Sequence, residues 1–184
     1  MLEPILEQIP ALKNNWDEYS TYFQEKTYPA HTLLLREGEV SKNMFIVGKG
    51  CLRLWLNKDG KDITCQFFFE NEAVSSMESF FHNTPGTFNI ETLESSHLFI
   101  LSRENMHKLL EEVPGFHEYM HKLKEKRLLY YARMFFSRLQ DTPEQRYKKL
   151  LEEFPYIVQR VPQHYIASFL GITPVSLSRI RKRL

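Results

Sequence analysis

Residues Gln163 to Leu184 read QHYIASFLGITPVSLSRIRKRL, the stretch with the most specific pattern in the chain. Its periodicity predicts a first helix from Pro162 to Leu170, with Ile166, Phe169 and Leu170 toward a core and the small Ala167 where another helix can cross closely. Gly171 supplies a tight turn, Thr173 is a good N-cap, and Pro174 sits at the first helical position, where its missing amide costs nothing. A second helix then buries Leu177, Ile180 and Leu184 at spacings of three and four. Ile166, Ala167, Leu170, Gly171, Ile172, Leu177 and Ile180 stand where a helix-turn-helix wants apolar, small or glycine residues. A helix inserted in the DNA major groove needs a rigid partner, an exposed amino-terminal turn for base edges and cations for phosphate. The DNA-contact candidates are therefore Thr173, Pro174, Val175, Ser176, Ser178, Arg179, Arg181, Lys182 and Arg183. The plain alternative is a helical hairpin whose basic end complements its own dipole.

Charge distribution supports the first reading. The 184 residues carry a net charge of +1, yet Pro155 to Leu184 hold five basic residues and no acid, which leaves the first 154 at −4. One end is selectively cationic, the footprint of a phosphate-binding surface. The chain is otherwise of ordinary globular composition, 42% hydrophobic and 26% charged. No stretch is long and apolar enough for a membrane span, and the first residues, MLEPILEQIP, do not resemble a secretion signal, so a cytoplasmic protein without membrane contacts is expected.

Upstream, Leu2 to Phe23 carry apolar residues at helical spacing, suggesting short amphipathic helices broken around Pro10. From Tyr28 to Leu101 the texture becomes short β-like runs (HTLLLR, MFIVGK, CLRLWL, DITCQFFF, TFNIETL, HLFIL) separated by turn-forming REGE, GKG, NKDG and HNTPG. Without alternating helices, such strands predict an antiparallel sandwich or roll. A short helix, Arg103 to Glu112, opens at Ser102, and after Pro114-Gly115 a long one runs from Phe116 to Leu139. Phe116, Met120, Leu123, Arg127, Tyr130 and Met134 form one stripe and are the candidate dimer interface; Leu128, Tyr131, Phe135 and Leu139 lie beside it. Two apolar strips on one helix suggest that one packs on its own domain and the other on a partner helix, against the alternative of one wide core face. A further helix follows from Glu144 to Phe154, and Tyr156 to Val161 reads as a short strand.

The Arg36-Glu37-Gly38-Glu39 turn, the Met44-to-Gly50 run MFIVGKG, the long helix and the basic helix pair together resemble the Crp/Fnr family, over nearly the whole chain. The resemblance implies an α+β protein: an antiparallel cyclic-nucleotide-binding-like β-roll (residues 1–112), a dimerisation helix (113–140) and a helix-turn-helix DNA-binding domain with a reduced wing (141–184). It implies a homodimeric regulator of transcription that binds double-stranded DNA and meets RNA polymerase, in a bacterial cytoplasm, with no catalytic role. In nucleotide-binding relatives a Gly-Glu-Leu turn holds the ribose and an Arg-Ser or Arg-Thr pair holds the cyclic phosphate. The corresponding stretches here are Asn71-Glu72-Ala73 and Thr87-Phe88-Asn89. Glu72, Thr87, Phe88 and Asn89 are thus the candidate effector-pocket residues, the phosphate-binding arginine is missing, and cyclic AMP is not expected to bind; the effector itself is left open. The rival function is a small-molecule or protein binding module with a merely structural helical end.

Two further patterns carry less. His117-Glu118-Tyr119-Met120-His121 matches H-E-x-x-H, but three fixed positions with no third ligand in a second motif favour a solvated helix turn over a metal site. Cys51 and Cys65 lie on apolar runs, where cysteines are usually inert core residues. No metal and no cofactor are expected.

Overall fold

The computed structural model describes residues 2–184. Three short helices, α1 (Glu3–Leu6), α2 (Pro10–Asn14) and α3 (Trp16–Tyr19), lead into strands β1 (Phe23–Tyr28), β2 (Leu33–Leu35), β3 (Asn43–Lys49), β4 (Leu52–Lys58), β5 (Lys61–Phe68) and β6 (Ala73–Val74). Helix α4 (Met77–His82) precedes β7 (Asn89–Thr92) and β8 (Ser96–Ser102). The strands form two four-stranded sheets, ordered β1-β8-β3-β6 and β2-β7-β4-β5. β8 pairs antiparallel with β1 and β3, β3 with β6, and β2 with β7. The β4–β5 turn places Asp59 and Gly60 both at positive φ (53° and 77°), as a type I′ hairpin requires.

Two elements in this half depart from expectation. β1 was expected as the end of a helical lead-in, but FQEKTY makes a strand because β8 supplies its partners; its own side chains are largely exposed and carry little apolar signal. α4 interrupts a region expected to be free of helices, anchored by the fully buried Phe80.

The remaining elements are helical: α5 (Arg103–Glu112), α6 (Phe116–Gln140), α7 (Pro143–Glu153), α8 (Pro155–Arg160), α9 (Gln163–Leu170) and α10 (Pro174–Arg183). Ser102 caps α5 by accepting the Asn105 N–H, and Thr142 with Gln145 forms a capping box on α7. The strand expected at Tyr156 to Val161, and with it any remnant of a β wing, is instead α8. Pro155 sits at its first turn, and Ile157 and Val161, four apart, are both buried. A six-residue apolar run does not by itself distinguish strand from helix.

By packing, the chain groups into two compact units, one reaching Leu54 and including Phe67–Lys124, the other Trp55–Gln66 with Glu125–Leu184. In the first, α1, α2, α5 and the start of α6 cover one sheet face. Met44 and Ile46 of β3, with Phe99 and Leu101 of β8, meet Ile9, Leu12, Met106, Leu109, Phe116 and Met120 there. Phe116 and Met120 are therefore core residues, which corrects their assignment to a dimer interface: their own unit already removes them from water. Leu123, Arg127, Tyr130 and Met134 are half-buried, and the strongly exposed apolar side chains of α6 are Leu128, Leu129, Phe135, Phe136 and Leu139. Among the described residues, no helix is long and apolar enough to cross a membrane.

Candidate nucleic-acid interface

The second unit holds α9 and α10, joined by Gly171-Ile172-Thr173. Ile166, Ala167 and Leu170 of α9 and Leu177 and Ile180 of α10 are buried, so the pair shares one apolar seam. Leu184, expected in that seam, is 55% exposed beyond the last helical residue. Thr173 caps α10: its hydroxyl accepts the Ser176 N–H at 3.1 Å and shares a hydrogen bond with the Ser176 hydroxyl at 3.0 Å. Both hydroxyls are thus committed to the helix start. Pro174, Val175, Ser178, Arg179, Arg181, Lys182 and Arg183 form an exposed surface, with Val175 at 61%. Every cation of α10 stands on it.

What holds this surface in place is polar. The last four carbonyls of a helix lack partners within it, and in α9 each has found one. The Ile172 N–H donates to Ala167 O and the Gly171 N–H to Ser168 O, both at 3.0 Å, the two bonds of a Schellman closure. Arg138 Nη2 of α6 donates to Phe169 O at 2.6 Å, and Arg146 Nε of α7 to Leu170 O at 3.2 Å. Arg146 Nη1 also donates to Asp141 O at 2.7 Å, linking the α6–α7 corner to the same helix end. Burial, and then the neighbouring Arg138, push the Arg146 guanidinium down from its ordinary value, though it stays charged.

At that corner the Asp141 carboxylate accepts from Lys149 Nζ (2.7 Å) and Ser137 Oγ (2.6 Å), which hold its pKa below the usual value. A depressed carboxyl pKa stabilises the fold near neutrality, and the contribution disappears as pH falls through the depressed value. Sequence reading missed Arg138, Asp141, Arg146 and Lys149, because a clamping arginine and a solvated one look identical in a helical pattern.

The candidate effector residues lie in the first unit and are occupied with local structure. The Glu72 carboxylate accepts the Phe69 N–H at 2.8 Å, and Asn89 Oδ1, buried, accepts the Glu37 N–H at 3.0 Å. Thr87 is exposed and Phe88 half-buried. The nearby strands do bury an arginine, Arg53 of β4 (1% exposed), but its guanidinium meets the Glu91 carboxylate of β7 at 2.6 and 2.7 Å. Thr87, Phe88 and Asn89 carry no cation of their own, so the three residues lack the charged donor that pairs best with a cyclic phosphate.

In the H-E-x-x-H segment Glu118 pairs with Lys122 at 2.6 Å, and Met120 is core. Burial raises the pKa of the Cys65 thiol, which keeps it protonated.

Residues 25–113 match the family described as the cyclic nucleotide-binding domain. The chain also shares its fold with CLP of Xanthomonas campestris, a c-di-GMP-responsive global regulator (17% identity, 93% of this chain and 90% of that one, TM-score 0.75). FixK2 of Bradyrhizobium japonicum aligns at 15% identity over 88% and 84% of the two chains, TM-score 0.76. A Eubacterium rectale protein assigned to the Crp/Fnr family of transcriptional regulators aligns at 16% identity over 94% and 85%, TM-score 0.74. The chain carries a cyclic nucleotide-binding domain and shares its fold with these regulators. No curated protein matches it in sequence.

In this chain the closure of α9 depends on Gly171, whose φ of +69° lies in the left-handed region. A Cβ there would stand 2.8 Å from Nη1 of Arg138, the guanidinium whose Nη2 holds Phe169 O, so backbone strain is joined by pressure on that clamp. Gly171→Ala is expected to lose about 1–2 kcal/mol in urea titration, and Gly171→Asn less, since asparagine tolerates the left-handed region. An alanine variant as stable as the parent would show that this closure is not under conformational constraint.

Proposed function

We propose that the chain is a homodimeric, sequence-specific DNA-binding regulator of transcription, not an enzyme. Its sensor β-roll spans 1–112, its dimerisation helix 113–140 and its helix-turn-helix domain 141–184, and its place of action is a bacterial cytoplasm where RNA polymerase is a further partner. The carrying observation is the uncovered face of α10: exposed Val175, Arg179, Arg181, Lys182 and Arg183 on a helix whose other face is buried, in a segment without acids. The regulators with the same fold support the reading. Arg179, one turn inside α10, reads a base edge, while Arg181, Lys182 and Arg183 at its end reach phosphates.

The exposed row on α6 supports dimerisation: Leu128, Phe135 and Leu139 are 60–69% exposed, a density of bare apolar side chains that a partner helix would cover. Cyclic AMP is not the effector, because Thr87, Phe88 and Asn89 offer its phosphate no cation and Arg53 is held by Glu91.

With a duplex selected from a random pool as operator, Arg179→Ala should cost about 1–3 kcal/mol and relax preference at one base pair per half-site, leaving a scrambled duplex almost unaffected. Lys182→Ala should weaken both duplexes and lower the salt slope by about 2 for a dimer, with half-site centres about 34–36 Å apart. Equal losses on both duplexes for Arg179→Ala would reduce it to a phosphate contact.

In sedimentation at micromolar concentration the wild type should be a dimer, and Leu128→Asp with Phe135→Asp a monomer. A monomeric wild type sinks the interface.

In calorimetric titration, cyclic AMP should bind with a Kd above ~100 μM, since losing a charge-assisted phosphate pair removes about two decades of affinity from a micromolar start. A low-micromolar value would restore it as effector.

A further inference from the structure

β5 is the last strand in the order β2-β7-β4-β5, so one row of its backbone N–H and C=O groups has no neighbouring strand. Within the second unit that row meets Ser168 of α9. The Thr64 N–H donates to Ser168 Oγ at 2.9 Å, and Ser168 Oγ donates to Asp62 O at 2.8 Å. One hydroxyl thereby supplies the acceptor and the donor that one residue of an adjoining strand would supply, two positions apart along the edge. Thr64 is fully buried, so an amide deprived of this partner would be left without water to replace it. A serine inside a helix commonly turns back to its own backbone or faces solvent; Ser168 does neither.

We propose that Ser168 is a positioning residue for DNA reading: its hydroxyl latches α9 to the edge of the β4–β5 hairpin and so fixes the orientation from which α10 presents Arg179. The inference rests on the DNA-reading assignment of α10. Its place in the chain gives it leverage. Ser168, Phe169 and Leu170 are consecutive, and they are held respectively by the hairpin, by Arg138 of α6 and by Arg146 of α7. α10 follows after three residues and shares a buried seam with α9, so what orients α9 orients α10. The latch leaves Val175 and Arg179 exposed, and the latched arrangement is therefore one that DNA can reach. From the hairpin, β4 runs directly into the position of Arg53 and its partner Glu91 on β7, the strand that begins at Asn89.

The test compares Ser168→Ala and Ser168→Thr with wild type in the full chain. Three quantities are read: hydrogen exchange at the Thr64 amide, thermal midpoint, and affinity for the pool-selected duplex and its scrambled counterpart. Alanine is a better helix former than serine, so α9 itself should persist. For Ser168→Ala the Thr64 amide should exchange about tenfold faster or more, and affinity for the selected duplex should fall about threefold to tenfold with the scrambled duplex little changed. Ser168→Thr, which keeps the hydroxyl, should restore both to within about twofold. Unchanged Thr64 protection in Ser168→Ala overturns the latch. Lost protection with equal or tighter binding of the selected duplex overturns the positioning role. Should the wild type prefer no duplex at all, the DNA reading falls, while the exchange measurement still decides whether the latch exists.

Discussion

The end of α9 is the point on which the second unit depends. A helix that stops inside a packed domain must find partners for its last carbonyls, and here no single element supplies them. The turn after Gly171 takes two, Arg138 of α6 takes Phe169 O, and Arg146 of α7 takes Leu170 O. Satisfying four acceptors therefore fastens three helices and the following turn together. Charged donors suit the task because their hydrogen bonds are stronger than neutral ones and their long stems reach across a helix diameter. The proposed reading head inherits its orientation from this arrangement rather than from any property of its own.

A comparable economy of charge governs the β-roll. Arg53 is almost completely removed from water, which is tolerable only because Glu91 lies against it. A buried cation so paired is a structural element of the roll. The candidate pocket residues follow the same rule: Glu72 and Asn89 accept backbone N–H groups from neighbouring turns and hold the roll's shape.

α6 serves both units because of its length. At 1.5 Å per residue its 25 residues outrun the sheet face that buries Phe116 and Met120, and the remainder carries the bare row from Leu128 to Leu139. The same helix ends at the corner where Asp141, Lys149 and Arg146 meet, so a proposed dimer contact and the hold on α9 lie on one rigid element.

Much of this was legible from residue order alone, wherever the signal is local. Gly171, Thr173 and Pro174 declare their turn, cap and first helical position through backbone geometry, and Ser102 and Thr142 mark helix starts by the same chemistry. Short apolar runs between turn-forming clusters exposed β2, β3, β4, β5, β7 and β8, and the absence of acids after Pro155 pointed to the cationic face. Tertiary structure decided the rest, because there the deciding partner is distant in the chain. β1 is a strand only because β8 lies beside it, and Tyr156 to Arg160 coil into α8, with Ile157 and the following Val161 buried four residues apart, against their β-branched propensity. Which α6 stripe faces a core depended on where the sheet stood, and so Phe116 and Met120 moved from interface to interior. Arg138, Arg146 and Ser168 gained their roles from carbonyls and a strand edge between 24 and 106 residues away, and backbone acceptors leave no trace in a sequence pattern because every residue has one.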